Sequence, residues 1–436
     1  MYFIPNPFNS PYPFGETLSL IHFIILLILG VLYLHHTLFF ILSIFIKNKK
    51  FKETNNFHKY AVIICARNEE KVIGNLIDSI KDQNYPSEFI ETFVFADNCT
   101  DKTAEVARLH GATVYERFND KLIGKSYVLD EAFKWIIKNY DGKFDAFLLF
   151  DADNILNKNY IREMNKAYDA GHKICTSFRN SKNYGKNWLA SGSAMLFFRE
   201  CVTMHPVRNL FKSSCYISGT GCLIDYNIIK EKNGWDYNYL IEDIQFSIDN
   251  ICKGNKITYV NEAQFYDEQP ITFKDAWNQR MRWCKGNHQC YFGYHKKLAK
   301  RFFKTGDFSC VDLYTHTFPA PFVMTIWLLV LPIIYGVYAL IVQVPFEMYF
   351  VAAVKPLIDS LVFGFIYSGF VALVITIKIW KKLNTSAFKK ILGIFAFPFY
   401  MSAYLPITVI AMFKKVKWVP ITHTDDSNLD SIKNSN

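Results

Sequence analysis

The sequence predicts an α/β domain with a doubly wound, mostly parallel sheet, flanked by transmembrane helices. Apolar residues are unevenly placed: 51% of the 436 residues are hydrophobic and 40 are Phe, yet they concentrate near the start and after residue 316. Residues 47–300 read as an ordinary mixed domain. Within that middle, short β-branched runs alternate with helical patterns, the signature of strands joined by crossover helices. Several runs end in carboxylates or amides, at the edge where such a sheet gathers its ligands.

The first element is Leu18 to Ile46, 29 residues without Asp, Glu, Lys or Arg. At about 1.5 Å per residue it exceeds the roughly 30 Å hydrocarbon thickness. No basic start precedes it, and Lys47, Lys49, Lys50 and Lys52 follow it. It reads as an uncleaved anchor (18–46) with residues 1–17 extracytoplasmic and the basic flank in the cytoplasm. His35 and His36 lie inside the span; they read as packed or interfacial histidines, with a polar functional pair as the alternative.

Next comes a cytoplasmic domain over 53–271. "KYAVIICARNEE" is a strand and polar loop, and "EKVIGNLIDSIKDQNYP" a helix with Val72, Leu76, Ile77 and Ile80 on one face. A second strand ends at Ala96, and the helix of "KTAEVARLHG" stops at Gly111. "ATVYERF", "IGKSYVLDEAFKWIIKNY" and "DAFLLFDADN" continue as strand, helix and strand. The second half of the domain is less regular. Residues 272–304 are rich in aromatic and basic residues, with Phe273, Trp277, Met281 and Cys284 near helical spacing, as in an amphipathic helix lying on the membrane surface.

A membrane region over 316–413 carries about three apolar stretches, near 316–344, 357–379 and 391–413. The basic segment Lys381 to Lys390 should be cytoplasmic, making the first two an out-and-back hairpin. A third crossing would place Lys414, Lys415 and Lys417 outside. Either the last stretch, broken by Pro398 and Pro406, re-enters without crossing, or the charge rule fails. In the polar tail, 414–436, the part after His423 reads as disordered.

Net charge is +10, with basic clusters at 47–52, 279–304, 380–390 and 414–417 beside apolar segments. That distribution suits anionic lipid headgroups and, with no recognition motif, excludes nucleic acid. The ten Cys form no CxxC pair and no His/Cys cluster, which excludes a zinc framework and structural disulfides.

Five groups of residues carry the chemistry. Asp151 and Asp153 end a hydrophobic strand as "FLLFDADN" and, two apart, share one face. Mg²⁺ or Mn²⁺ takes one or two protein carboxylates and fills its other positions with phosphate and water, so the pair suits a diphosphate. Asp97 and Asp101 in "FADNCTD" can accept from a uracil edge or ribose hydroxyls; Asn98, Thr100 or Asp101 can instead cap the helix at Lys102. Lys125, after Gly124 at a helix start, can reach phosphate or stay in solvent. Glu242 and Asp243 sit among Leu240, Ile241, Ile244 and Phe246, where burial raises carboxyl pKa values; Asp243 is the candidate base, with a helix cap as the alternative. In "NQRMRWCKG", Arg282 can bond a diphosphate, and Trp283 with Gln279 can hold a sugar ring.

Asp97, the Asp151/Asp153 pair, Glu242/Asp243 and Gln279-x-x-Arg282-Trp283 occur in the order and approximate spacing of the family 2 membrane glycosyltransferases. Over nearly its whole length the chain resembles the processive synthases of cellulose, hyaluronan, chitin and poly-N-acetylglucosamine. The resemblance implies a GT-A type fold, catalytic domain cytoplasmic in a multi-pass plasma-membrane protein. It also implies an inverting mechanism with a UDP-sugar and Mg²⁺ or Mn²⁺, and a β-linked glycan product. By the resemblance, Ala66, Asn68, Glu69 and Asp97 hold the nucleotide, and Lys125 and Asp151 lie against the diphosphate. Asp153 binds the metal with Asp151. Asp243, beside Glu242, is the base, while Gln279, Arg282 and Trp283 contact donor phosphate and acceptor. Ser218, Gly219, Thr220 and Gly221 match a small-residue loop beside the acceptor. The acidic motif departs from the family in reading Ile-Glu-Asp where Thr-Glu-Asp is common. Membrane lipids, and an export or accessory subunit, are the partners such a protein would have. Two other readings compete: a glycolipid synthase resembling ceramide glucosyltransferases, which transfers one sugar, and an inactive membrane scaffold.

Overall fold

The computed structural model describes residues 13–417, 419, 421 and 423–434. The expected extracytoplasmic segment therefore lies outside the described residues up to residue 12. Helix α1 runs from Pro13 to Phe45 and leads into β1 (Tyr60–Ala66), α2 (Ile73–Lys81), β2 (Ile90–Asp97), α3 (Thr103–Leu109), β3 (Thr113–Arg117), α4 (Lys125–Tyr140) and β4 (Ala146–Asp151). These four strands form a parallel half-sheet in the order β3-β2-β1-β4, as the alternating sequence pattern requires.

The second half is less regular, as its sequence pattern indicates, and it brings in the antiparallel pairs of a mostly parallel sheet. It contains β5 (Ile155–Leu156), α5 (Tyr160–Asp169), β6 (Ile174–Ser181), α6 (Trp188–Arg199), α7 (His205–Leu210), β7 (Cys222–Asp225), α8 (Tyr226–Lys232), α9 (Glu242–Lys253) and β8 (Ile257–Asp267). The sheet extends as β4-β7-β6-β8-β5, with β7 antiparallel to both neighbours and β5 antiparallel to β8. The result is a mixed eight-stranded sheet.

Alternation along β1 sorts its side chains to two faces. Tyr60, Val62 and Ile64 face a core with Ile73, Leu76 and Ile77 of α2 and Ile161 and Met164 of α5. Ala61 and Ile63 face a core with Leu129 and Phe133 of α4. That second core continues without a break into Val371 and Ile375 of the membrane region.

The C-terminal part comprises α10 (Phe273–Thr305), α11 (Phe308–Thr317), α12 (Ala320–Val342), α13 (Phe346–Tyr349), α14 (Lys355–Ile379), α15 (Ala387–Ser402), α16 (Tyr404–Phe413) and α17 (Leu429–Lys433). Among the described residues, four helical stretches are long and apolar enough to cross a membrane: Leu20–Phe45, Ala320–Val342, Phe346–Ile379 and Ala387–Phe413. The last differs from the others in that both its ends touch the sheet domain. Thr385 and Lys389 meet Gly185 at one end, and Lys414 to Lys417 border the central cleft at the other. Between them Tyr400 lies on Gly192 of α6 and its carbonyl accepts from the buried Arg280 of α10 at 2.8 Å.

The apolar stripe of α10, which reads as lipid-facing in the sequence, is covered along Met281 and Cys284 by Ile407 and Ala411 of α16. The tail also departs from expectation, because residues 423–434 are laid on the domain. Backbone N–H groups of Thr424 and Asp425 bond the Glu268 carboxylate at 3.2 and 3.1 Å, and Ile432 of α17 is buried against Ile155 and Tyr266. Composition hides this, since the partners lie more than 150 residues away in the chain.

A Cβ at Gly192 would stand 2.5 Å from the Tyr400 Cβ. Gly192→Val should therefore overfill the α6–α15 contact and cost roughly 1–3 kcal/mol, read as a lower Tm in detergent. An unchanged Tm would show that α15 does not pack there.

Candidate active site

The carboxyl ends of β1, β2 and β4 open into one cavity of about 860 Å³, the size of a ligand cleft. Ala66 and Glu69 line it from the β1 loop, Asp97 from β2, Lys125 from the first turn of α4, and Asp151 and Asp153 from the end of β4. Ser218 and Gly219, Glu242 and Asp243, and Gln279, Arg282 and Trp283 line it as well. The remaining residues singled out in the sequence lie outside the lining. Asn68 (φ +58°) accepts the Thr100 N–H at 2.8 Å and ties two loops together. Thr220 accepts the Asp151 N–H at 2.9 Å, and Gly221 backs onto Phe265, where a side chain would not fit. Asp101 bonds the Thr103 and Glu70 N–H groups at 3.0 and 3.2 Å, a turn-forming role.

Asp97 is 4% exposed and bonded by Arg117 Nη1 at 2.5 Å. The Lys125 ammonium donates to Asp151 and, at 2.9 Å, to the Gly219 carbonyl. Burial alone would raise the Asp151 carboxyl, but Lys125 holds it below its ordinary value. Strand β4 ends at Asp151, so Asp153 lies on the following turn rather than on the strand face. Its carboxylate accepts the Glu268 N–H at 3.0 Å, and burial, aided by Asp151 and Glu69, raises its pKa.

This donor set fits a hard divalent cation. It offers carboxylate oxygens only, Asp151 keeps a 34% open side chain, and Asp153 sits among like charges that a cation would relieve.

Helix α9 begins with Glu242 and Asp243 in its first turn, where the helix dipole favours negative charge. Burial, reinforced by Glu242, nevertheless raises Asp243 to about 7; the Ile244 N–H, Arg282 and Lys125 oppose the rise. Gly219 (φ +82°) brings its backbone close to that carboxylate, since a Cβ there would lie 3.5 Å from Asp243 Oδ2. Arg282 Nη1 donates to the Leu240 carbonyl at 2.9 Å. The Trp283 indole meets the Phe197 ring edge-on at 5.6 Å.

Sequence reasoning missed several lining residues. Asp267 and Glu268 end β8 as "FYDEQP", the same strand-end signal as "FDADN", and were legible on that ground. Arg179 pairs with Asp267 at 2.5 Å, bonds the Ser218 carbonyl at 3.0 Å and lies 3.7 Å from the Phe197 ring centre. His423 comes from the tail and bonds Glu69 at 2.9 Å. Burial would lower it, but Asp153, Glu69 and Glu268 push it up to about 10, so it enters the cleft as a cation. No local pattern announces His423.

Comparison with known proteins gives the family and the fold. The family profile described as "Glycosyltransferase like family 2" matches residues 58–286. Among curated proteins the chain is 26% identical over 268 residues to a probable glycosyltransferase, YdaM, of Bacillus subtilis, covering 56% of this chain and 58% of that one. It is 24% identical over 251 residues to a beta-monoglucosyldiacylglycerol synthase of Nostoc, covering 55% and 51%. The chain thus spans about half the length of these relatives. A mannosyltransferase of Pyrobaculum calidifontis, solved with GDP-Man and Mn²⁺, superposes with a TM-score of 0.53 at 13% identity, covering 91% of this chain and 99% of that one. That likeness shows the GT-A-like fold. With more than half its length matched by the profile, the chain belongs to the glycosyltransferase-like family 2.

Proposed function

We propose that the enzyme takes glucose or N-acetylglucosamine from its UDP-sugar, with Mg²⁺ or Mn²⁺, and adds it with inversion to a growing β-linked polysaccharide. The observation that supports this most directly is the arrangement of one cavity. Asp97, Lys125, Asp151, Asp153, Asp243, Arg282 and Trp283 all line it, and the Gly219 turn lies between Lys125 and Asp243.

In this reading Asp97 and Glu69 orient the nucleotide, and Asp151 and Asp153 would hold the metal. The metal ion, when bound, neutralises diphosphate charge. Trp283 and Phe197 offer apolar faces for the acceptor sugar. Asp243 removes the acceptor hydroxyl proton as that oxygen attacks the anomeric carbon, and the bond from that carbon to the phosphate oxygen breaks. Lys125 and Arg282 bond the departing diphosphate. A single displacement from the face opposite the leaving group inverts the anomeric centre.

The second reading, a glycolipid synthase moving one sugar, is favoured by the diacylglycerol-glycosylating relative. The carboxylates facing the cavity and the family membership disfavour an inactive scaffold. We place the enzyme in the plasma membrane as a multi-pass protein with its catalytic domain cytoplasmic. Residues 387–413 re-enter rather than cross, which keeps Lys414, Lys415 and Lys417 on the cytoplasmic side as the charge rule requires.

A panel of UDP-sugars supplied to the enzyme in nanodiscs, with UDP release and product digestibility measured, tests the proposal. One donor should yield a glycosidase-sensitive polymer and lose its turnover on chelation. An organic-extractable monoglycosylated lipid as sole product would select the second reading, and turnover that survives chelation would remove the metal. Asp243→Asn should lower kcat by about 10²–10⁴-fold while UDP still binds. Because Asp243 is raised to about 7, the wild-type rate should fall as pH drops through that value and the base becomes protonated. A rate flat from pH 5 to 8 would argue against this base.

A further inference from the structure

His35 and His36 of α1 take no part in the cleft, yet they converge on a buried carboxylate. Their Nε2 atoms lie 3.6 and 3.4 Å from Asp312 Oδ1 of α11. Arg208 of α7 binds the same carboxylate with Nε at 2.6 Å from Oδ2 and Nη2 at 3.1 Å from Oδ1. Asp312 and Arg208 are 2% and 1% exposed. Two histidines and an aspartate at this spacing resemble a transition-metal site. Both carboxylate oxygens are taken by the guanidinium, however, whose charge opposes a cation.

The cluster continues toward the catalytic loop. The Arg208 guanidinium lies 5.0 Å from the Tyr216 ring centre, and that ring also meets His205 at 5.1 Å and His316 of α11 at 4.6 Å. Ser309 of α11 accepts the Ser214 N–H at 2.8 Å. The next backbone N–H but two, that of Ile217, donates to Ser247 Oγ at 3.1 Å, and Ser247 Oγ donates to the Asp243 carbonyl at 2.8 Å. Ser218 and Gly219 follow directly and face the cleft. At the membrane end, Tyr33 of α1 donates to the Thr315 carbonyl of α11 at 2.7 Å.

We infer that Asp312 is a positioning residue for the transfer: gripped by the membrane anchor and by Arg208, it fixes segment 213–219 against the helix that carries Asp243. Apolar residues of equal volume would serve stability as well as a buried ion pair, so the pair is better explained by the geometry it imposes. On the sheet side the segment is tied by the Cys215 N–H to the Ile257 carbonyl at 2.8 Å and by Arg179 to the Ser218 carbonyl at 3.0 Å; on the membrane side its tie is α11. Residues 213–219 contribute to no strand of the sheet, and Gly219 has no side chain to lock it. Arg208 also bonds the Glu200 carboxylate at 3.1 Å, so without Asp312 the guanidinium stays charged but is held from one side only, and its place beside the Tyr216 ring is no longer fixed. The Gly219 carbonyl, which orients Lys125, and the Asp243 backbone then move independently of each other.

The inference rests on Asp243 being the base, and the test separates the two. The full chain in nanodiscs is assayed by UDP release, with rates normalised to UDP-binding sites counted by titration. Asp312→Asn should lower kcat per site by about ten- to a hundredfold, the scale of a displacement of about 1 Å, while the donor KM stays within about twofold. Asp312→Glu should recover part of the loss. Full kcat per site in Asp312→Asn, even with a poorer yield of folded protein, overturns the inference, because a purely structural role lowers the number of sites and not their rate. If Asp312→Asn gives no UDP-binding protein, Ser247→Ala decides: a several-fold lower kcat at constant donor KM supports the link, and an unchanged kcat overturns it. An active Asp243→Asn would instead overturn the base assignment, whatever the Asp312 variants do.

Discussion

The structure is organised around the mutual repulsion of carboxylates forced into one cavity. Glu69, Asp151, Asp153, Asp267 and Glu268 meet at the ends of strands whose hydrogen bonding fixes where those ends lie. Like charges that close cannot all stay ionised in a buried site unless cations interleave with them. Lys125 answers Asp151, Arg179 answers Asp267, and His423 answers Glu69 and Asp153. Asp243 has Arg282 and Lys125 in its field without a direct ion pair, and it is held near neutrality by burial and Glu242. In the proposed reading the same crowding prepares a cation site at Asp151 and Asp153 and, at Asp243, a carboxylate poised to accept a proton.

That arrangement depends on the membrane region as well as on the sheet. One face of the sheet shares its core with α14 and α15, and α10 is clamped between the catalytic loops and α16. Arg280 is fully buried and bonds the Tyr400 carbonyl, so the helix that presents Gln279, Arg282 and Trp283 is oriented from the membrane side. The tail that follows α16 runs along the cleft to Glu69. Lys414 to Lys417, Val419, Ile421 and His423 all line the cleft, so its wall includes residues that follow a membrane-region helix.

The readable part of the site is the part carried by strand ends. "FADNCTD" and "FLLFDADN" each couple a hydrophobic run to carboxylates, and a parallel sheet places such ends together because its strands run the same way. The "FYDEQP" end of β8 carries the same signal. Strand β8 pairs with β6, whose other partner β7 reverses direction, and nothing local specifies that mixed pairing. His423 and Arg179 were invisible for a different reason. Each is a single polar residue in a polar stretch, and its role is set by carboxylates brought to it from elsewhere in the chain.

Local composition and spacing by themselves determined which segments are apolar enough to enter a bilayer, the alternating strands and helices of the first half-sheet, and the acidic, QxxRW and small-residue motifs. Those are short-range properties, fixed by side-chain periodicity and hydropathy within a few turns. Tertiary structure alone decided the mixed second half of the sheet, the return of the 387–413 stretch to the domain at both ends, and the tail laid across the cleft. It also decided that His35 and His36 close on Asp312. Each of these is a contact between residues that are remote in sequence. Their stability comes from burial and charge pairing that exist only after the chain has folded, and no local pattern encodes them.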